Sequence, residues 1–130
     1  MKGPHEPTYF TDRSLGKRFP EALAEAGIAV ATHDRYFGPQ APDDVWLAAA
    51  AQYDWIALTR DARICYSPLA LKTIAESKAK LFVLVGKMNG EQCIALFLKW
   101  QQRVGQVAHG ESRPFIAKVR RDGVNVWRTF

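Results

Sequence analysis

Four aspartates occupy positions from which carboxylates can act together. Asp12 ends the short run 9–11, Asp61 follows the apolar run 55–58 through Thr59 and Arg60, and Asp43-Asp44 opens an alanine-rich segment. Carboxylates from remote positions repel one another by several kcal/mol unless a cation neutralises them or their pKa values rise. A set made of oxygen ligands alone, without His or Cys, favours Mg²⁺ or Mn²⁺ over Zn²⁺. A hard cation that keeps open positions suits phosphodiester hydrolysis, since it can activate water and steady charge on the leaving oxygen. Arg13 and Ser14 directly follow Asp12, and Arg60 and Arg63 flank Asp61. All four can contact phosphate, guanidinium groups being suited to phosphate and carboxylate alike. Each acid also has a plainer reading. Asp43 can cap the helix it opens, Asp12 and Asp61 can close strands, and Asp34 suits a loop or a salt bridge.

Whether these acids meet depends on the elements between them. Residues 9–11 read as a short strand, and 19–26 as a helix with apolar positions three and four apart, stopped by Gly27. Residues 28–32 are aliphatic and β-branched, a second strand. Residues 33–42, rich in Gly, Pro and aromatics, read as a loop. A helix then carries Trp46, Leu47, a run of alanines and Tyr53, and residues 55–58 form a third strand. Pro68 starts a helix to about Ser77, 81–85 is a buried strand, and 90–107 is the longest helix. Residues 115–120 and 124–127, joined by Arg121-Asp122-Gly123, form a hairpin.

Strands alternating with helices predict an α/β sandwich with a mainly parallel sheet and a C-terminal hairpin. Right-handed crossovers set the carboxyl ends of parallel strands on one edge, where such sheets bind ligands. Asp12 and Asp61 fall there, and the helix opened by Asp43 and Asp44 starts from the same edge.

The 130 residues suit one domain, spanning 1–130 with its core at about 9–128, and the 48% apolar content is ordinary for a packed fold. Cys65 and Cys93 sit in no metal or redox spacing and read as free buried thiols in a reducing compartment. The apolar run 81–85 is too short for a membrane span, and the start MKGPHEPT, a loose lead-in, lacks a signal peptide's apolar stretch. The expected compartment is therefore the cytoplasm. Eighteen Lys and Arg against thirteen Asp and Glu give a net charge of +5. Cations gather late in the chain, at Arg103, Arg113, Lys118, Arg120, Arg121 and Arg128, and favour a polyanionic partner. Trp46, Trp55 and Trp100 sit at packing positions. Trp127 can stack on a base, although packing in the hairpin is the simpler role.

At these residues the chain resembles PIN-like proteins related to VapC toxins, in particular a branch opening with Phe-Thr-Asp-Arg-Ser-Leu-Gly. Here that is Phe10-Thr11-Asp12-Arg13-Ser14-Leu15-Gly16. Further matches are Thr32-His33-Asp34 with Phe37-Gly38, Pro42-Asp43-Asp44-Val45-Trp46-Leu47 and Leu58-Thr59-Arg60-Asp61-Ala62-Arg63-Ile64. Phe82-Val83-Leu84-Val85 and Pro114-Phe115-Ile116-Ala117-Lys118-Val119 complete the set. The resemblance implies a three-layer α/β/α PIN-like sandwich and an Mg²⁺- or Mn²⁺-dependent endoribonuclease, commonly the toxin of a toxin–antitoxin pair. Asp12, Asp43 and Asp61 match the family's acids, with Asp44 auxiliary. A 5′-phosphate and 3′-hydroxyl product, a cognate antitoxin and a homodimer are implied as well. Many relatives carry a second acid where this chain has Arg13. The acid usual on a later helix has no clear counterpart here, Glu21 being an uncertain candidate. Two other functions fit parts of the chain. In a receiver-like signalling domain Asp61 would accept phosphate beside Lys87, but a receiver wants an acid pair where Asp12-Arg13 stands. In a non-catalytic RNA-binding module the acids would be caps and the basic tail would bind.

Overall fold

The computed structural model describes residues 6–130, so Gly3 and Pro4 of the expected lead-in lie outside the described residues. The strands are β1 (Thr8–Thr11), β2 (Ala29–Thr32), β3 (Ile56–Thr59), β4 (Lys80–Leu84), β5 (Phe115–Arg120) and β6 (Gly123–Thr129). They form one sheet in the order β2-β1-β3-β4-β5-β6. Every pairing is parallel except β5 with β6, the C-terminal hairpin. The expected α/β architecture with its mainly parallel sheet is the one observed.

The helices are α1 (Arg18–Glu25), α2 (His33–Tyr36), α3 (Asp43–Gln52), α4 (Pro68–Ser77) and α5 (Gly90–Gly110). Local chemistry sets their ends. Gly27 takes a left-handed φ of +82° after α1, which lets the Gly27 and Ile28 amides return to the Ala24 and Leu23 carbonyls. Ser67 caps α4 ahead of Pro68, and Asn89 with Gln92 makes a reciprocal capping box at the start of α5.

Two expectations are corrected. The segment 33–42 is not wholly loop, because His33–Tyr36 form the single helical turn α2. The buried ring of His33 packs beside Phe10 and Phe37, which gives that turn a tertiary anchor. The second concerns Asp43, which lies inside α3 with Pro42 at the cap position and makes no capping bond. Its carboxylate accepts instead from the indole Nε1 of Trp46 at 2.9 Å. One turn apart, the two face each other along the helix, and the buried indole needs an acceptor.

The sheet separates two apolar layers. On one face Leu58, Phe82, Phe115 and Ala117 meet Phe19 and Leu23 of α1 and Phe97 and Val104 of α5. On the other, Phe10, Ala57, Leu81 and Val83 meet Trp46 and Leu47 of α3 and Ile74 of α4. Phe10 lies between the rings of Trp46 and Trp55, with centroids 5.4 and 5.6 Å away. It is fully buried and precedes Asp12 by two residues, so the second core layer supports the sheet edge. None of the described helices is long and apolar enough to cross a membrane. Truncating this ring should reveal the dependence: Phe10→Ala is expected to cost about 3–5 kcal/mol, seen in urea unfolding as a lower midpoint with an unchanged slope.

Candidate functional site

Register brings the two strand-end aspartates side by side. β1 pairs with β3 through Thr11 and Leu58, and the Asp12 amide continues the ladder by donating to the Leu58 carbonyl at 3.3 Å. Each aspartate then turns the chain in the same way. The Asp12 carboxylate accepts from the Ser14 amide at 3.1 Å, opening the 3₁₀ turn Arg13–Leu15. The Asp61 carboxylate accepts from the Arg63 amide at 3.0 Å, opening the 3₁₀ turn Ala62–Tyr66. Short acidic side chains favour this contact two residues ahead.

A hydroxyl network joins the two turns. Thr59 Oγ1 donates to the second Asp12 oxygen at 2.8 Å and accepts from the Asp61 amide at 3.0 Å. Ser14 Oγ donates to the first Asp12 oxygen, lies 3.1 Å from Thr59 Oγ1 and accepts from the Arg60 amide at 3.0 Å. One side-chain oxygen therefore links the Asp12 carboxylate to the backbone of Asp61. The sequence suggests Ser14 as a phosphate contact; in the fold its hydroxyl holds an acid.

The two carboxylates sit in opposite electrostatic settings. Asp12 is 6% exposed, and among the described residues no Lys or Arg pairs with it. Burial pushes its carboxyl up to about 6, the hydrogen bonds from Ser14 and Thr59 pull it down, and the Asp43 charge adds a smaller upward push. Asp61 is held below the ordinary carboxylate range, chiefly by side-chain hydrogen bonds from Arg63. That guanidinium grips it with two bonds, 2.9 Å from Nε and 3.0 Å from Nη2.

A cleft of about 480 Å³ opens over this arrangement, and Asp12, Asp43, Asp61, Arg13, Ser14 and Arg63 all contribute to its wall, with His33 and Trp46. Asp44 is not among the residues lining it. Arg60 turns aside, its guanidinium donating to the Met88 carbonyl. Arg13 donates to the Pro39 carbonyl at 3.0 Å and lies 3.5 Å from Asp34, which is a salt-bridge residue as its sequence setting suggests. Glu21 borders a neighbouring cavity of about 640 Å³ and stands 3.8 Å from Arg18. His33 is held below its usual pKa mainly by burial, and among the described residues its Nδ1 has no hydrogen-bond partner.

Two participants were not foreseen, Thr59 as the bridge and Trp46 as the partner of Asp43. Each carried a signal. Thr59 ends β3 two residues before Asp61, and Trp46 lies one turn beyond Asp43.

The donor set suits a hard cation: carboxylates and hydroxyls at one edge, the buried acid lacking a protein cation. A complete cage is not preformed, for among the described residues no three His, Cys, Asp or Glu side chains cluster closely enough to hold an ion as they stand. Asp61 is engaged by Arg63 and Asp43 by Trp46. The Arg63 side chain is 92% exposed and that of Asp61 20%, so solvent screens the guanidinium end of the pair. Asp61 already borders the cleft, and releasing the guanidinium would leave its carboxylate held by the Arg63 amide.

Comparison with known proteins agrees with this picture. A family model described as "PIN like domain" matches residues 7–86. The Mycobacterium tuberculosis protein named "Putative ribonuclease VapC45" is 32% identical over 116 residues, covering 85% of this chain and 83% of its own length. No solved structure matches the chain.

The buried acid also makes a pH prediction. The unfolded chain releases the Asp12 proton near pH 4 and the folded chain near pH 6. Folded-state stability therefore falls as pH rises through that window, and the penalty is complete above it. In protein freed of divalent cations, Asp12→Asn is expected to raise stability by up to about 3 kcal/mol at pH 8, with the gain vanishing near pH 4. Urea melts at both pH values measure this.

Proposed function

This chain belongs to the PIN-like domain family, and we propose that it is a metal-dependent endoribonuclease, the toxin of a toxin–antitoxin pair. The carrying observation is the buried Asp12 carboxylate, bridged by the Thr59 hydroxyl to the turn that Asp61 opens, with Asp43 in the same cleft. The name of its Mycobacterium tuberculosis relative supports the reaction class. The net charge of +5 supports a polyanionic substrate.

On this reading Asp12, Asp43 and Asp61 hold Mg²⁺ or Mn²⁺, and Asp44 lends charge from the start of the same helix. When bound, the cation supplies charge to the scissile phosphate and lowers the pKa of water. The chain's own residues prepare for that. Ser14 and Thr59 occupy both Asp12 oxygens with donors, so the carboxylate is held in one orientation, and above pH 6 it carries the charge that a cation requires. Trp46 fixes the Asp43 carboxylate, which counters the repulsion that would turn it from Asp12. Arg13 and Arg63 stand on the rim where phosphates of a bound strand pass. Arg63 then exchanges Asp61 for phosphate, and the freed carboxylate faces the cleft.

Arg60 reads better as a support for the Met88 loop than as a substrate contact. The product ends would be a 5′-phosphate and a 3′-hydroxyl, and the compartment the cytoplasm. The whole chain would act as one catalytic domain, with a homodimer and an antitoxin that blocks the cleft as its assemblies.

Cleavage of a labelled RNA with Mn²⁺ is the test. Asp12→Asn and Asp61→Asn are each expected to lower the rate by more than about 100-fold, since losing even a ligand's supporting partner costs 10–100-fold, and a chelator should abolish it. Full activity in both variants, or with chelator present, defeats the proposal. A wild type that binds RNA but never cuts it points to a non-catalytic binding module. Arg63→Ala separates the rim's two tasks: half-saturation with Mn²⁺ should move to lower concentration while the KM for RNA rises.

A further inference from the structure

The acids occupy one end of a cross-strand row, and the other end is cationic and aromatic. Thr59 pairs with Val83, Val83 with Lys118, and Lys118 with Asn125. Lys118 lies between Ala117 and Val119, whose side chains join the layer beneath α1 and α5. Strand alternation therefore points Lys118 to the opposite face, the one that carries the cleft. Two strand spacings put it about 10 Å from Thr59.

Trp127 is drawn onto that face by an irregularity in the hairpin. Ile116 pairs with Arg128 and Ala117 with Val126, which leaves Trp127 as the extra residue of a bulge. Bulges re-aim side chains in this way. The Lys118 ammonium sits 4.2 Å above the Trp127 ring, and Tyr66 meets that ring edge-on at 5.8 Å. Tyr66 is 69% exposed and Trp127 37%. Tyr66 also ends the 3₁₀ turn that Asp61 begins, so a five-residue turn connects the aromatic pair to the cleft. The helix that packs on β6 is α5, on the far face. From Phe115 to Phe130 the hairpin carries Lys118, Arg120, Arg121 and Arg128 against one acid, Asp122.

We propose that Tyr66, Trp127 and Lys118 form a stacking platform for single-stranded RNA beside the cleft. Bases of a strand already engaged at the acids stack on the exposed rings, and the hairpin cations hold its phosphates. This deepens the ribonuclease reading and rests on it. Charge favours RNA over a protein partner, because the exposed rings are overlaid by cations, Lys118 on Trp127 and Arg128 on Phe130. Exposed rings braced by a cation match the way sequence-tolerant single-strand binders hold bases. Two strand spacings, about 10 Å, separate Thr59 from Lys118, a gap that an extended single strand crosses within a few nucleotides. The platform is thus placed to take bases a few positions from the cut.

The test is binding of a fluorescent oligouridine of about twelve nucleotides, measured by anisotropy with chelator present so that nothing is cut. Tyr66→Ala and Trp127→Ala should each weaken binding about ten-fold, while Tyr66→Phe and Trp127→Phe stay near wild type. Lys118→Gln should reduce the slope of log Kd against log salt by about one. Thermal melts verify that the variants fold. Unchanged affinity in both alanine variants overturns the platform, even if Mn²⁺-dependent cleavage persists and the nuclease reading stands. Loss of a dimer in Tyr66→Ala with unchanged RNA affinity also overturns it, and marks a protein interface instead. Ring-dependent binding by a protein that cuts no RNA keeps the platform and removes the nuclease.

Discussion

The candidate site depends on a carboxylate held out of water with hydroxyls, rather than a basic side chain, as its partners. Removing the Asp12 charge from water is unfavourable, and a guanidinium bond of the kind Asp61 has would offset it. The protein supplies Ser14 and Thr59 instead. Burial raises the Asp12 carboxyl well above its ordinary pKa, and the neutral donors, the Ser14 amide and the two hydroxyls, pull it only part of the way back because they leave the negative charge unneutralised. A site of this kind is ready for an external cation in a way that an internal salt bridge is not. The same reasoning explains Thr59, whose single hydroxyl gives to the acid and receives from the Asp61 amide, locking two neighbouring strand ends together.

Parallel strands make this economical. Once β1 and β3 are neighbours in register, the residues just past their ends stand side by side without any loop of special shape. Each aspartate then needs only the backbone amide two residues ahead to turn the chain. A third acid has to arrive from elsewhere, and α3 brings Asp43 by starting at the same edge. The price is a long connection after β2, part of which folds into α2 against Phe10 and Phe37.

Local and long-range determinants of this site differ in how far the sequence alone displays them. The alternating order of elements, the sheet edge and the positions of Asp12 and Asp61 follow from local periodicity and crossover handedness, both of which are written in consecutive residues. The cross-strand partner of Asp12 is not so written. Thr59 reaches Asp12 across 47 positions of sequence, and only register makes the contact. Asp43 looked like a cap because acids at helix starts usually are; the neighbouring indole took the carboxylate once burial left its N–H in need of an acceptor. The α2 turn hides in a segment of Gly, Pro and aromatics whose composition suggests a loop, since its helical state is imposed by ring packing and not by propensity. Trp127 was legible as an aromatic in a basic hairpin, whereas the bulge that aims it at Tyr66 depends on pairing across the strands.

The cost of rearrangement also differs between the acids, and this orders how the cleft can respond to a ligand. Asp12 is fastened on both oxygens inside the fold, so moving it breaks several buried hydrogen bonds at once, each leaving an unsatisfied group worth about 1–3 kcal/mol. Asp61 is fastened by the Arg63 amide and by the same residue's solvent-exposed guanidinium, and water can replace only the second of these. The buried carboxylate therefore acts as the fixed point, and the outer one adjusts to it. A phosphate or cation arriving at the cleft would meet one carboxylate held on both oxygens inside the fold and one whose guanidinium partner stands in solvent, where surrounding charge acts on it most directly.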